Sequence, residues 1–329
     1  MPLRLLARKQ KPVKTRSKKT TIPNAPIQFE AAEQMQLESD ELRRYLQIGR
    51  YGVVAANPDR WRGHPEIRSA LKRANDAIDR QFALVPEGSA TLPMTINDAP
   101  GCPELEVETN SFVLSKHPVT NAEFQHFVDS GGYEELEFWP QDLWTHLIDF
   151  VDLTGSAGPR FWKGGRHNKL LADHPVVGVC FYEAQAFAKW AGFRLPTESE
   201  WQVAASWRIR SSAYILRRYP WGDALDRSRC NIWSSGLAST APVTSFKAGD
   251  APNGVSQLVG NVWEWTDSDL ELTDEQDRPI VGDMLMKSIR GGAYDTYFPA
   301  QATSCFRTGL ASLVRAHNVG FRCAMDIRG

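Results

Sequence analysis

No stretch of this 329-residue chain approaches the ~18 uninterrupted apolar residues needed to span a bilayer. Its 42% hydrophobic content and 11 Trp therefore read as the material of a folded core. The start of the chain also lacks a secretory pattern: Leu3, Leu5 and Leu6 are interrupted by Arg4 and followed by Arg8 and Lys9, with no apolar segment ahead of a small-residue cleavage site. A cytoplasmic location is the expectation. Cysteine is scarce: Cys102, Cys180, Cys230, Cys305 and Cys323 form an odd set whose closest members are 18 apart. With no CxxC pair, neither a structural zinc nor a disulfide framework is supported. The 7 His are scattered, the tightest pair being His167 and His174, so no HxxxH pair sets two ligands on one helical face. A GxSxG elbow and a GxxxxGK[ST] loop are also missing, which removes two common nucleophile and phosphate-binding patterns.

Acid is missing from one region in particular. Residues 1–20 hold Arg4, Arg8, Lys9, Lys11, Lys14, Arg16, Lys18 and Lys19 with no Asp or Glu, so the formal charge of -1 hides a basic start and an acidic remainder. The plain reading is a solvated tail, the sharper one an arm that grips an acidic partner such as a protein or nucleic acid. An Arg-rich, acid-free start also suits an organelle transit peptide.

Three regions follow from the patterning. Residues 1–36 read as an extended basic arm, in which Pro12, Pro23 and Pro26 discourage helix. Residues 37–81 read as a helical hairpin. One apolar stripe runs through Leu42, Tyr45, Leu46 and Ile48, and a second through Ile67, Leu71, Ala74 and Ile78, with Pro58 and Gly63 between them. The hairpin is too small to fold alone and is expected to lie on the main domain. Residues 82–329 change texture, to short strands, loops and abundant Gly, Pro and Trp. Two capping boxes, Thr120 with Glu123 and Thr197 with Glu200, open short helices, and Gly192 ends a third over 182–191.

Within that third region several longer motifs occur in one order. They are HPVVGV from His174, AGFRLPTESEW from Ala191, YPWGD from Tyr219, CNIW from Cys230, TAPV from Thr240, VGNVWEW from Val259, RGG from Arg290 and NVGFRC from Asn318. Together they resemble the formylglycine-generating enzyme, or sulfatase-modifying-factor, family over residues 82–327. The resemblance implies an α+β fold, a variant of the C-type lectin fold low in regular secondary structure. Arg322, in an apolar setting, needs a carboxylate if buried, and Glu264 and Asp223 are the candidates.

The resemblance also says where chemistry should be. The family's copper oxidase carries two cysteines five apart shortly after Gly-Gly-Ser, and thiolates are soft ligands suited to Cu(I). Here Thr296 and Gln301 stand at those positions and Ala293 replaces the serine, so no copper is expected. The family's iron-dependent sulfoxide synthase branch takes ligands from an HxxxHxE motif on an added helical bundle. That motif has no counterpart in residues 39–82, which contain only His64, so no iron is expected either. Calcium is the one metal carried: the resemblance implies the Gln257 side chain, the Gly260 and Val262 carbonyls and the Glu264 carboxylate, a hard-oxygen set. A second family calcium site would use Asn231 and the Ile232 carbonyl, but its downstream acid falls in a loop too short to supply it.

What remains is surface. In lectin-like relatives the segment corresponding to 293–317 is displayed for binding, and here it carries Tyr294, Asp295, Thr296, Tyr297, Phe298, Gln301, Phe306, Arg307 and Arg315. Aromatics with Arg are frequent interface anchors. The aromatic insertion at 133–172 either covers the core or forms a groove. The sequence thus points to a non-catalytic binding or scaffolding subunit of a macromolecular assembly. The alternatives are a metal-dependent oxidase or oxygenase with rebuilt ligands and a nucleic-acid binder acting through the arm.

Overall fold

The structure is a computed structural model and describes residues 40–94, 104–209, 216–271, 278 and 285–327. The basic arm and Cys102 lie outside the described residues.

The hairpin region folds as three helices: α1 over 40–47, α2 at Tyr51–Ala56 and α3 at Ile67–Gln81. Gly49, at φ +82°, breaks the first stripe where periodicity alone continues it. Leu42, Leu46, Val54, Trp61 and Ala74 close a small core of their own. Tyr45 meets Trp61 edge-on at 5.9 Å, and the Arg50 guanidinium lies 4.2 Å from the Tyr45 ring centre. Arg50 Nε also donates to the Trp190 carbonyl at 2.6 Å, pinning this unit to the main body.

Three small sheets build the rest. Strands β1 (Phe82–Val85), β4 (Phe112–Ser115) and β9 (Ala324–Asp326) pair in the order β1-β4-β9, and β2 (Gly88–Pro93) pairs with β3 (Glu104–Thr109). The four-stranded sheet has the order β7-β6-β5-β8, from β5 (Trp263–Asp269), β6 (Met286–Arg290), β7 (Thr308–Ala311) and β8 (Val319–Phe321). Among the described residues only the β5–β8 pair is parallel, so the chain crosses over to place the NVGF strand beside the WEW strand. Helices α4 (Asn121–Asp129), α5 (Phe181–Ala191) and α6 (Glu198–Ser206) are short, with much irregular chain around them. This is the expected α+β architecture.

Aromatic rings supply what regular structure does not. Phe124 stacks on Phe187 at 5.3 Å, and Phe127, Trp190 and Phe321 close around the pair at 5.3–6.2 Å. Such contacts are worth about 0.5–1.5 kcal/mol each beyond the area they bury. In the 133–172 insertion, Phe138, Trp139 and Trp162 turn inward onto this core, while Trp144 and Phe161 stay partly exposed. The insertion mainly covers the core.

Candidate functional site

Strand β6 ends in Arg290 and delivers the chain into Gly291 and Gly292, at φ +99° and +79°. A Cβ at Gly291 would meet the Leu258 carbonyl at 2.8 Å, and one at Gly292 the Ala302 Cβ at 2.9 Å, so the turn is possible only with glycine. Thr296 then closes it. Its Oγ1 accepts from Ala293 N at 2.8 Å, its N–H donates to the Ala293 carbonyl at 2.9 Å, and its carbonyl accepts from Trp233 N at 3.3 Å. The hydroxyl at the position of the first expected thiolate is therefore spent on the turn itself. Gln301 ends a short 3-10 segment, Pro299–Gln301, and is half-buried.

The turn presents aromatics outward. Tyr297 and Phe298 are 66% and 62% exposed and lie edge-to-face at 5.2 Å, and Trp233, 56% exposed, stands 6.2 Å from Tyr297. Leu237, half exposed, is a further apolar side chain of the Trp233 loop. Beside the platform Asp295 accepts from Asn318 Nδ2 at 3.0 Å and pairs with His317 Nε2 at 3.1 Å. Tyr294 is half-buried, with its phenol pushed up by burial and by neighbouring Asp295.

Three residues expected on the surface of this segment turn inward instead, which corrects that expectation. Thr296 is buried by its role in the turn. Arg307 reaches in to Glu198 at 3.0 Å, and Arg315 is held by both oxygens of Glu183 at 2.8 and 2.9 Å. Tyr133 Oη donates to the same Glu183 at 2.6 Å. A buried carboxylate without a cation is costly; Arg315 neutralises Glu183, and Arg307 shares Glu198 with Arg290. Phe306 is half-buried against Trp263 at 6.1 Å.

The interior behind the platform is a network of charge. Glu198, at the start of α6, accepts from Ser288, Arg290 and Arg307, and Arg290 lies 5.3 Å from the Trp201 ring centre. Trp201 Nε1 in turn donates to Glu264 Oε2 at 2.8 Å. Glu264 takes a bidentate fork from Arg322, Nε to Oε2 and Nη2 to Oε1, both at 2.7 Å. Of the two carboxylates expected for Arg322, Glu264 is the partner; Asp223 accepts from Arg218 N instead.

That pairing bears on calcium. Arg322 neutralises the only carboxylate of the implied set. Gln257 Oε1 accepts from Asn261 Nδ2 at 2.6 Å, and the Gly260 carbonyl accepts from Val262 N at 3.0 Å. Asn261, buried at φ +70°, is the hub: Oδ1 accepts from Ala241 N and Asn231 Nδ2, and Nδ2 donates to Gln257 and to the Ala241 carbonyl. The Gln257 side-chain oxygen, the Gly260 carbonyl and the Glu264 carboxylate are thus engaged with protein donors, in competition with the role of cation ligand that the resemblance implies for them. Asn231 is likewise spent on Ser239, Asn261 and Ser235.

Among the described residues no group of three or more His, Cys, Asp or Glu converges as a metal site. Cys180, Cys230, Cys305 and Cys323 are all free thiols. Burial raises the pKa of Cys180 and Cys323 well above the usual thiol range and pushes Cys230 up to about 12, leaving them protonated and inert. Cys305, half-exposed, contacts Ser304 Oγ at 3.5 Å. No helix among the described residues is long and apolar enough to cross a membrane.

The geometry can be set beside known proteins. The chain is 38% identical over 171 residues to the hercynine oxygenase of Mycolicibacterium smegmatis, an alignment covering 50% of this chain and 39% of that protein. It therefore spans well under half the length of that relative. It is 30% identical over 255 residues to the inactive C-alpha-formylglycine-generating enzyme 2 of Bos taurus, covering 68% of this chain and 79% of the relative. Among solved structures, CarF superposes with a TM-score of 0.52 at 21% identity, over 75% of this chain and 98% of that one, a likeness of fold. The model of the sulfatase-modifying factor enzyme 1-like domain matches residues 68–327, starting within α3. With the motif order, the glycine turn and the Glu264–Arg322 pair all in place, this chain belongs to the formylglycine-generating, sulfatase-modifying-factor family.

Proposed function

We propose that the chain is a non-catalytic member of its family that holds a macromolecular partner against the platform of Trp233, Tyr297 and Phe298. The observation that carries this reading is the replacement of the thiolate pair. Thr296 and Gln301 offer no sulfur, and the Thr296 hydroxyl is committed to its own turn, so the loop that would bind Cu(I) is instead a rigid mount for exposed aromatics. Large aromatics held by a stiff backbone lose little entropy on binding, which makes them effective anchors. That one relative is called inactive in its own name supports a scaffold retained without its chemistry. The basic arm would add a salt-sensitive attraction to an acidic partner, protein or nucleic acid. Size-exclusion of an extract from the source cells tests the reading. The wild-type chain is expected in a complex heavier than itself, and a Tyr297→Ala, Phe298→Ala double variant at the monomer position. Co-elution of the variant with the wild type would contradict it.

A second reading, an oxygenase-type activity, is favoured by the 38% identity to a hercynine oxygenase. It requires ligands beyond those the described residues bring together.

A further inference from the structure

A cavity of about 250 Å³ opens where the turn between α1 and α2 crosses the main body, and it shares no residue with the aromatic platform. Its walls are aromatic on one side, through Phe82, Phe187, Trp190 and Phe193, with Phe82 and Phe193 only 4.6 Å apart. Glu123 is the only carboxylate among the lining residues, and no Lys or Arg is among them. Glu123 Oε2 accepts from Thr120 N and Thr120 Oγ1, both at 2.8 Å, completing the capping box of α4. Among the described residues no donor reaches Oε1. Two histidines line the same cavity, His126 near Glu123 and His117. Burial, reinforced by Arg322, lowers the His117 pKa and keeps that ring neutral, so it supplies no compensating charge.

One carboxylate oxygen that no protein donor reaches, on a solvent-exposed Glu123 at the lining of a cavity with aromatic walls, suits an ammonium group on an apolar frame. The charge would pair with Glu123 while the frame lies against π faces that themselves attract cations. We propose that this cavity is a binding site for a small organic cation, an amine carried on an aromatic or aliphatic body.

The test is calorimetric titration of the full chain with phenethylamine and tryptamine, each compared with its acid counterpart, 3-phenylpropionate and indole-3-propionate. Both amines are expected to bind, and the acids roughly tenfold or more weakly. Glu123→Gln should weaken amine binding by a similar factor and leave the melting curve in place, because Gln at this position retains the capping box. Acids binding as tightly as amines, no binding of either amine, or unaltered amine affinity in the folded Glu123→Gln variant would overturn the proposal. Should that variant fail to fold, the amine-against-acid comparison on the wild type still decides.

Discussion

Arg322 and Glu264 are each essentially fully buried, and their fork joins the chain's last motif to the WEW strand 58 residues earlier. Removing one partner strands the other as an uncompensated buried charge. Glu264→Gln is therefore expected to cost about 3–5 kcal/mol in urea unfolding, and a loss within the scatter of a surface substitution would contradict the assignment. Because Arg322 already neutralises that carboxylate, adding millimolar calcium should leave the thermal midpoint unchanged; a calcium-dependent rise would show that the quartet can rearrange into a site. His117 and His174 are both held below their ordinary range by burial. Below pH ~6.5 the unfolded chain takes up these protons before the folded one does, so stability falls as pH drops from 7 to 5. His117→Gln should flatten part of that decline in thermal midpoint, and an unaltered slope would remove His117 from the account. Arg322 was legible in the sequence because an arginine among Gly, Phe and Cys demands a partner. Arg307 and Arg315 were not, because their carboxylates lie 109 and 132 residues away and no local pattern announces them.

At the scale of elements, what could be read was what is encoded locally. Both capping boxes form as their spacing requires, and Gly192 ends α5 in the left-handed conformation. The break between α1 and α2 and the loops around 246–261 could not be read. The break turns on Gly49 at φ +82° inside a stripe that periodicity continues, and the loops depend on positive φ at Phe246 and Gln257, residue types that do not advertise it, and on partners brought in by the tertiary fold. The approach of α2 to α5 is equally non-local. A Cβ at Gly192 would stand 2.1 Å from Val53 N, and one at Gly52 2.5 Å from the Gly192 carbonyl. Gly192→Ala combines backbone strain with this collision and is expected to lift α2 off the body, destabilising the chain by more than the ~1 kcal/mol of a simple glycine replacement. Limited proteolysis would report it as new cleavage within 50–60, and a wild-type digestion pattern would show that the contact is dispensable.

For the molecule as a whole, the motifs in register point to the family and the α+β fold, since they hold the Gly291–Gly292 turn and the buried Glu264–Arg322 pair. Function was less legible. The sequence shows which thiolates are missing, but only the fold shows that Thr296 is sealed into its turn and that Tyr297 and Phe298 are left outside it. The arginines expected to anchor a partner serve the interior, so the proposed recognition rests on the aromatic rings. On this proposal the loop mounts a partner and does not hold a redox metal. Elemental analysis of the full chain after anaerobic loading with copper(I) or iron(II) and desalting tests it most directly. The account predicts sub-stoichiometric metal in both samples; copper or iron retained in equimolar amount would contradict it.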